Sequence, residues 1–122
     1  MVNLSILIIE DDRDVAQLYD RVLQASGYST EIIHTGEAAL ARLAVAVPHL
    51  VLLDLNLPPH ISGIDVLHYI RADPRLSNTR VIIVTGHLDL ADSVRDEADR
   101  ILLKPIDVNQ LNEVVERFRP KP

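Results

Sequence analysis

Cysteine is missing from the 122-residue chain. That excludes a disulfide framework and any thiolate metal ligand or nucleophile, and it agrees with a reducing cytoplasm. Aromatic residues make up only 3% of the chain, so the core must be aliphatic. Basic residues are outnumbered: 12 Lys and Arg stand against 18 Asp and Glu, a net charge of −6. Such a chain is repelled by nucleic acid and by anionic membranes, and a basic partner or a bound cation suits it better. No apolar run approaches the roughly 20 residues of a membrane span. The opening MVNLSILIIEDD lacks the basic region and small-residue cleavage site of a signal peptide. What remains, 48% hydrophobic and 25% charged, is ordinary for a globular protein. Its length suits a single domain over residues 1–122.

Short apolar runs alternate with amphipathic stretches. Ile6–Ile9 is rich in β-branched residues and stopped by Glu10-Asp11-Asp12, the pattern of a strand buried on both faces. Val15, Leu18, Tyr19, Val22 and Leu23 then recur at helical spacing. Asp12 or Asp14 can cap that helix, and Gly27 ends it. Further strands are expected at Ser29–Ile33, His49–Leu55, Arg80–Gly86 and Ile101–Leu103. The helices between and after them carry Leu40 and Leu43, then Ile64, Leu67 and Ile70, and finally Val108, Leu111, Val115 and Phe118 inward. The fourth helix must lie in HLDLADSVRDEAD, where few apolar residues stand among five acids, and is expected to be short. Five strand–helix alternations imply a parallel sheet with right-handed crossovers and helices on both faces.

In such a sheet, ligands bind beyond the carboxyl ends of the strands. Glu10, Asp11 and Asp12 follow the first strand, and Asp54 ends the third. Thr85 ends the fourth and Lys104 follows the fifth. Acids before a helix commonly serve as caps, a lone Thr is usually structural, and a Lys-Pro pair is usually a turn. Together they place carboxylates, a hydroxyl and an ammonium on one edge. Two carboxylates about 5 Å apart repel by ~3 kcal/mol at an effective dielectric near 20. A hard divalent cation such as Mg²⁺ relieves that repulsion and prefers this oxygen-rich ligand set. A carboxylate beside Mg²⁺ and Lys is a plausible nucleophile for phosphoryl transfer.

The ordered fragments ILIIEDD, PHLVLLDLNLP, SGIDVL, VIIVTG and LLKPID closely resemble those of the receiver domains of two-component response regulators, over essentially the whole chain. The resemblance implies a flavodoxin-like α/β fold with strand order 2-1-3-4-5. It implies that Asp54 is phosphorylated, that Glu10, Asp11 and Asp54 with the Asn56 carbonyl hold Mg²⁺, and that Thr85 and Lys104 contact the phosphoryl group. Asn56 and His87 would tune its lifetime, and the Lys104–Pro105 peptide is often cis in the family. The partners implied are a sensor histidine kinase or a histidine phosphotransfer protein, and an output domain or separate target. No direct contact with nucleic acid or membrane is implied, and the domain would be a cytoplasmic monomer or weak homodimer. Its only chemistry would be self-catalysed phosphorylation and dephosphorylation.

Three features depart from the family's pattern. Ile101 stands where a Tyr or Phe is frequent, the Thr85-to-Lys104 segment is short, and LPPHISG is one residue longer than usual. The first two slightly favour an interaction module that works without phosphorylation, and the complete Asp54–Thr85–Lys104 set argues against it. A metal-dependent phosphatase would need a cap or substrate domain and a second acid two residues beyond Asp54. A flavin mononucleotide site would need a phosphate loop where EDDRD stands. His34, His49, His60, His68 and His87 are scattered without ligand spacing and read as surface or half-buried residues, with His87 set apart by its nearness to Thr85.

Overall fold

Each apolar run becomes a strand of one parallel sheet. The structure, a computed structural model, describes residues 4–120, so the first three residues of the opening stretch lie outside it. The elements are β1 (Ser5–Ile9), α1 (Arg13–Ala25), β2 (Ser29–Ile33), α2 (Gly36–Leu43), β3 (Leu50–Asp54), α3 (Gly63–Ala72), β4 (Arg80–Thr85), α4 (Leu88–Ser93), β5 (Arg100–Leu103) and α5 (Val108–Arg117). A 3-10 turn at Pro74–Leu76, not foreseen from sequence, buries Leu76. The order is β2-β1-β3-β4-β5 with every pairing parallel. This is the doubly wound α/β arrangement expected. Among the described residues, no helix is long and apolar enough to cross a membrane.

The alternation of side chains along the strands divides the core in two. Ile6, Ile8, Leu50, Leu52, Ile82, Val84 and Leu102 face α1 and α5, where they meet Tyr19, Leu23, Leu111 and Val115. Leu7, Ile9, Val51, Leu53, Val81 and Ile83 face the other way, against Ala39, Leu43, Val66, Leu67 and Ile70. Burial of a Leu or Ile side chain contributes roughly 2 kcal/mol, so both faces hold the strands in register.

Helix ends follow the sequence closely. Asp12 caps α1 by accepting from the Asp14 and Val15 N–H groups, and Gly27, with φ of 92°, follows its end. Thr35, Ser62 and Asp107 cap α2, α3 and α5. The buried stripes are narrower than expected. On α1 the stripe is Ala16, Tyr19 and Leu23, and Leu18, one residue off it, is 48% exposed. Leu40, Ile64, Val108 and Phe118 are only half-buried, while Ala39, Val66 and Val114 are buried. The third strand starts at Leu50, not His49, and Leu55 is buried just beyond its end.

The fourth helix has six residues, and Leu88 at its start is exposed. The segment behind it is held by polar contacts. Asp99 accepts from the Val81 N–H (2.7 Å), from Arg71 Nη2 (2.8 Å) and from Arg80 Nη1 (3.2 Å). Arg71 also donates to the Glu97 and Thr79 carbonyls at 2.7 and 3.1 Å. The long β3–α3 loop is tied to α2, where the Ile61 N–H donates to Glu37 Oε1 at 3.2 Å. His60 in that loop has φ of 96°.

Candidate functional site

Strand parity builds the site. Ile9 pairs with Leu53, so one step further along the ladder brings Glu10 beside Asp54. Ile6, Ile8 and Glu10 share a side of β1, as Leu50, Leu52 and Asp54 share a side of β3. Lys104 is two residues beyond Leu102 on that same side. All three polar groups therefore cap the α1/α5 half of the core at the carboxyl edge of the sheet.

Glu10 and Asp54 are 2% and 3% exposed. Lys104 Nζ lies between them, donating to Glu10 Oε1 at 2.9 Å and to Asp54 Oδ2 at 3.1 Å. The other oxygen of each carboxylate is held by backbone: the Asp12 N–H donates to Glu10 Oε2 (3.2 Å) and the Asn56 N–H to Asp54 Oδ1 (2.9 Å). Asp11 is exposed, and Glu10, Asp11 and Asp54 each offer an oxygen within 4.8 Å of the others. Thr85 is fully buried at the end of β4, and its Oγ1 accepts from the His87 N–H at 3.1 Å. The Thr85 carbonyl accepts the Lys104 N–H at 2.8 Å, and the Lys104–Pro105 peptide is cis.

The charges are unbalanced. Three carboxylates face one ammonium, and a pair of carboxylates at this range repels by about 3 kcal/mol. Burial pushes the Glu10 carboxyl up to about 7, with Asp54 adding to the rise and Lys104 opposing it. Burial alone would lower the Lys104 ammonium, but its bond to Glu10 and the charge of Asp54 raise it above the ordinary lysine value. Glu10, Asp11 and Asp54 are all hard oxygen donors; with all three ionised, two negative charges stand in excess of the ammonium, a set that suits Mg²⁺.

Two residues near this edge were read from sequence without any link to the site. Tyr19 of α1 lies beneath the site, within the electrostatic reach of Lys104, Glu10 and Asp54. Burial pushes its hydroxyl up to about 12. His34, at the end of β2, approaches the Glu10 carbonyl with Nδ1 at 2.9 Å. Helical spacing marked Tyr19 only as an inward-facing residue, and His34 carried no spacing signal, since their nearness to the site depends on helix docking and strand register.

The model of the response regulator receiver domain matches residues 6–116. The DNA-binding response regulator MtrA of Mycolicibacterium paratuberculosis is 36% identical over 109 residues, which is 87% of this chain and 47% of that protein. The regulatory protein LuxO of Vibrio vulnificus is 34% identical over 111 residues, 88% of this chain and 24% of that one. The chain thus spans half or less of the length of these curated relatives. A CheY-like response regulator receiver domain from Methylobacillus flagellatus superposes with a TM-score of 0.86 at 26% identity, covering 97% of this chain and all of that one. The Thermotoga maritima response regulator TrrA, solved in complex with Mg(2+)-BeF, gives 0.83 at 28% identity, over 93% and 97% of the two chains. With the family model matched over residues 6–116, the chain belongs to the response regulator receiver domain family.

Proposed function

We propose that this receiver accepts a phosphoryl group on Asp54 from a histidine kinase or a histidine phosphotransfer protein, in the cytoplasm. The observation that carries the reading is Asp54 itself: a nearly buried carboxylate paired with Lys104 inside a three-carboxylate pocket.

Glu10, Asp11 and Asp54, with the Asn56 carbonyl, would hold Mg²⁺. Bound there, the ion would offset negative charge on the phosphoryl oxygens. The chain's own groups do the rest. Asp54 supplies the attacking oxygen; its bond to phosphorus forms as the phosphorus–nitrogen bond to the donor histidine breaks, and the imidazole keeps that electron pair. The Asn56 N–H orients the Asp54 carboxylate from one side. Lys104, already charged and 3.1 Å from Asp54, is placed to bind a phosphoryl oxygen. Thr85 accepts a bond from the His87 N–H, which leaves its own hydroxyl proton free to donate to another.

Phosphorylation would switch an interaction surface read by a linked output domain or a separate protein, with the receiver itself a monomer or weak homodimer. Incubation with Mg²⁺ and acetyl phosphate, followed by intact-mass measurement, tests the reading. A phosphate adduct is expected on the wild type and not on Asp54→Asn. No adduct on the wild type would instead mark an interaction module that works without phosphorylation.

A further inference from the structure

The β1–β2 ladder ends in an unusual way. Its last strand pair is Ile9 with Ile33, and one more rung follows, from the Glu10 N–H to the Ile33 carbonyl at 2.9 Å. In a parallel ladder the Glu10 carbonyl would next accept from the Thr35 N–H. Thr35 instead turns away, in extended conformation, to cap α2 by accepting from the Ala38 N–H. The carbonyl left behind takes the ring of His34, with Nδ1 at 2.9 Å. A carbonyl oxygen only accepts, so Nδ1 carries the proton. A side chain has replaced the missing backbone donor.

That carbonyl belongs to the peptide joining Glu10 to Asp11. The remaining polar groups of Glu10 are held too: its N–H by Ile33 and its carboxylate by Lys104 and the Asp12 N–H. Asp11 differs. It is exposed, and it offers a carboxylate oxygen within 4.8 Å of those of Glu10 and Asp54. The Glu10–Asp11 peptide carries it, and the His34 ring holds that peptide's carbonyl.

From this geometry we infer that His34 is a positioning residue for the acidic pocket. Its Nδ1–H locks the Glu10–Asp11 peptide so that Asp11 is preset toward a divalent cation. The inference rests on the proposed cation site but concerns a residue outside it. Loss of a group that orients a metal ligand commonly weakens metal binding by about tenfold or more.

The test compares wild type with His34→Ala, His34→Asn and His34→Gln. An Asn amide places its N–H close to where Nδ1 sits, and a Gln amide places it near Nε2. Two quantities are read: Mg²⁺ affinity by calorimetric titration, and the Asp11 amide ¹⁵N shift in metal-free protein. Thermal melts establish that each variant folds. His34→Ala should bind Mg²⁺ about tenfold more weakly and move the Asp11 amide signal, His34→Asn should restore both, and His34→Gln should not. Wild-type affinity in His34→Ala, or equal rescue by Asn and Gln, overturns the role of Nδ1. A wild-type protein that takes up no Mg²⁺ overturns the cation site, and the role of His34 with it. If His34→Ala does not fold, the Asn and Gln pair decides alone: equal Mg²⁺ affinities and Asp11 signals overturn the inference.

Discussion

Lys104 bridges two carboxylates that are almost wholly buried, Glu10 at 2.9 Å and Asp54 at 3.1 Å. Removing the ammonium leaves both without a counter-charge. Lys104→Met should therefore destabilise the metal-free protein by about 2 kcal/mol, less than for a fully enclosed pair because the lysine side chain is still 30% exposed. Adding Mg²⁺ should narrow the gap. Urea denaturation with and without Mg²⁺ measures both effects, and a variant as stable as wild type would show that the bridge contributes nothing.

Glu10 gives the metal-free protein a specific pH dependence. Its carboxyl is raised from the ordinary 4.5 to about 7, chiefly by burial. The folded chain therefore binds that proton more tightly than the unfolded chain. Its contribution to stability is fully present below 4.5 and is lost as pH rises through about 7. Denaturation midpoints across this range should fall more steeply for wild type than for Glu10→Gln, which cannot ionise. Parallel curves for the two proteins would count against the shift.

Two glycines beside the site should behave in opposite ways. A Cβ on Gly63 would lie 2.5 Å from the Asp54 carbonyl oxygen and from Leu55 Cα, both backbone atoms that cannot turn aside. A Cβ on Gly86 would meet nothing closer than Lys104 Cβ, at 3.9 Å. Gly63→Ala should cost about 1–3 kcal/mol and displace the end of β3 that presents Asp54. Gly86→Ala should fold with near wild-type stability. Thermal melts and Asp54 phosphorylation of the two variants check the contrast.

Arg71 should govern the segment behind the short fourth helix. Its bonds to the Glu97 carbonyl and to Asp99 join α3 to that segment, and its bond to the Thr79 carbonyl ties it to the residue before β4. Burial alone would raise the Asp99 carboxyl, but bonds from the Val81 N–H and Arg71 hold it below its usual value. That stability is present above the ordinary carboxylate value and is lost as pH falls through the lowered one. Arg71→Met should lose about 2 kcal/mol, begin acid unfolding at a higher pH, and speed amide exchange at residues 97–99. Exchange unchanged there would assign the anchor elsewhere.

The grouping of the candidate site residues was legible in the sequence because of one property of parallel sheets. All strands end at the same edge, so Glu10, Asp54, Thr85 and Lys104 could be placed together from the apolar runs that precede them. Caps were legible for a similar reason, since Asp12, Thr35 and Asp107 act within three residues of themselves. His34 was not. A histidine at a strand end looks like any surface histidine until the register shows which carbonyl lacks a donor. Leu18, expected inward, is exposed, and Ala16, on which the sequence reading was silent, is buried, because a periodicity reading favours large side chains. The Arg71–Asp99 anchor joins residues 28 apart with no periodic signal.

The bond from the Lys104 N–H to the Thr85 carbonyl has a mechanical meaning. It belongs to the last β4–β5 pair, Thr85 with Leu103, and joins directly the backbones that carry the hydroxyl and the ammonium. Neither residue can shift its backbone privately. The backbone carrying Thr85 is thereby tied to Lys104, whose ammonium holds Glu10 and Asp54, so one chain of bonds runs across three strand ends.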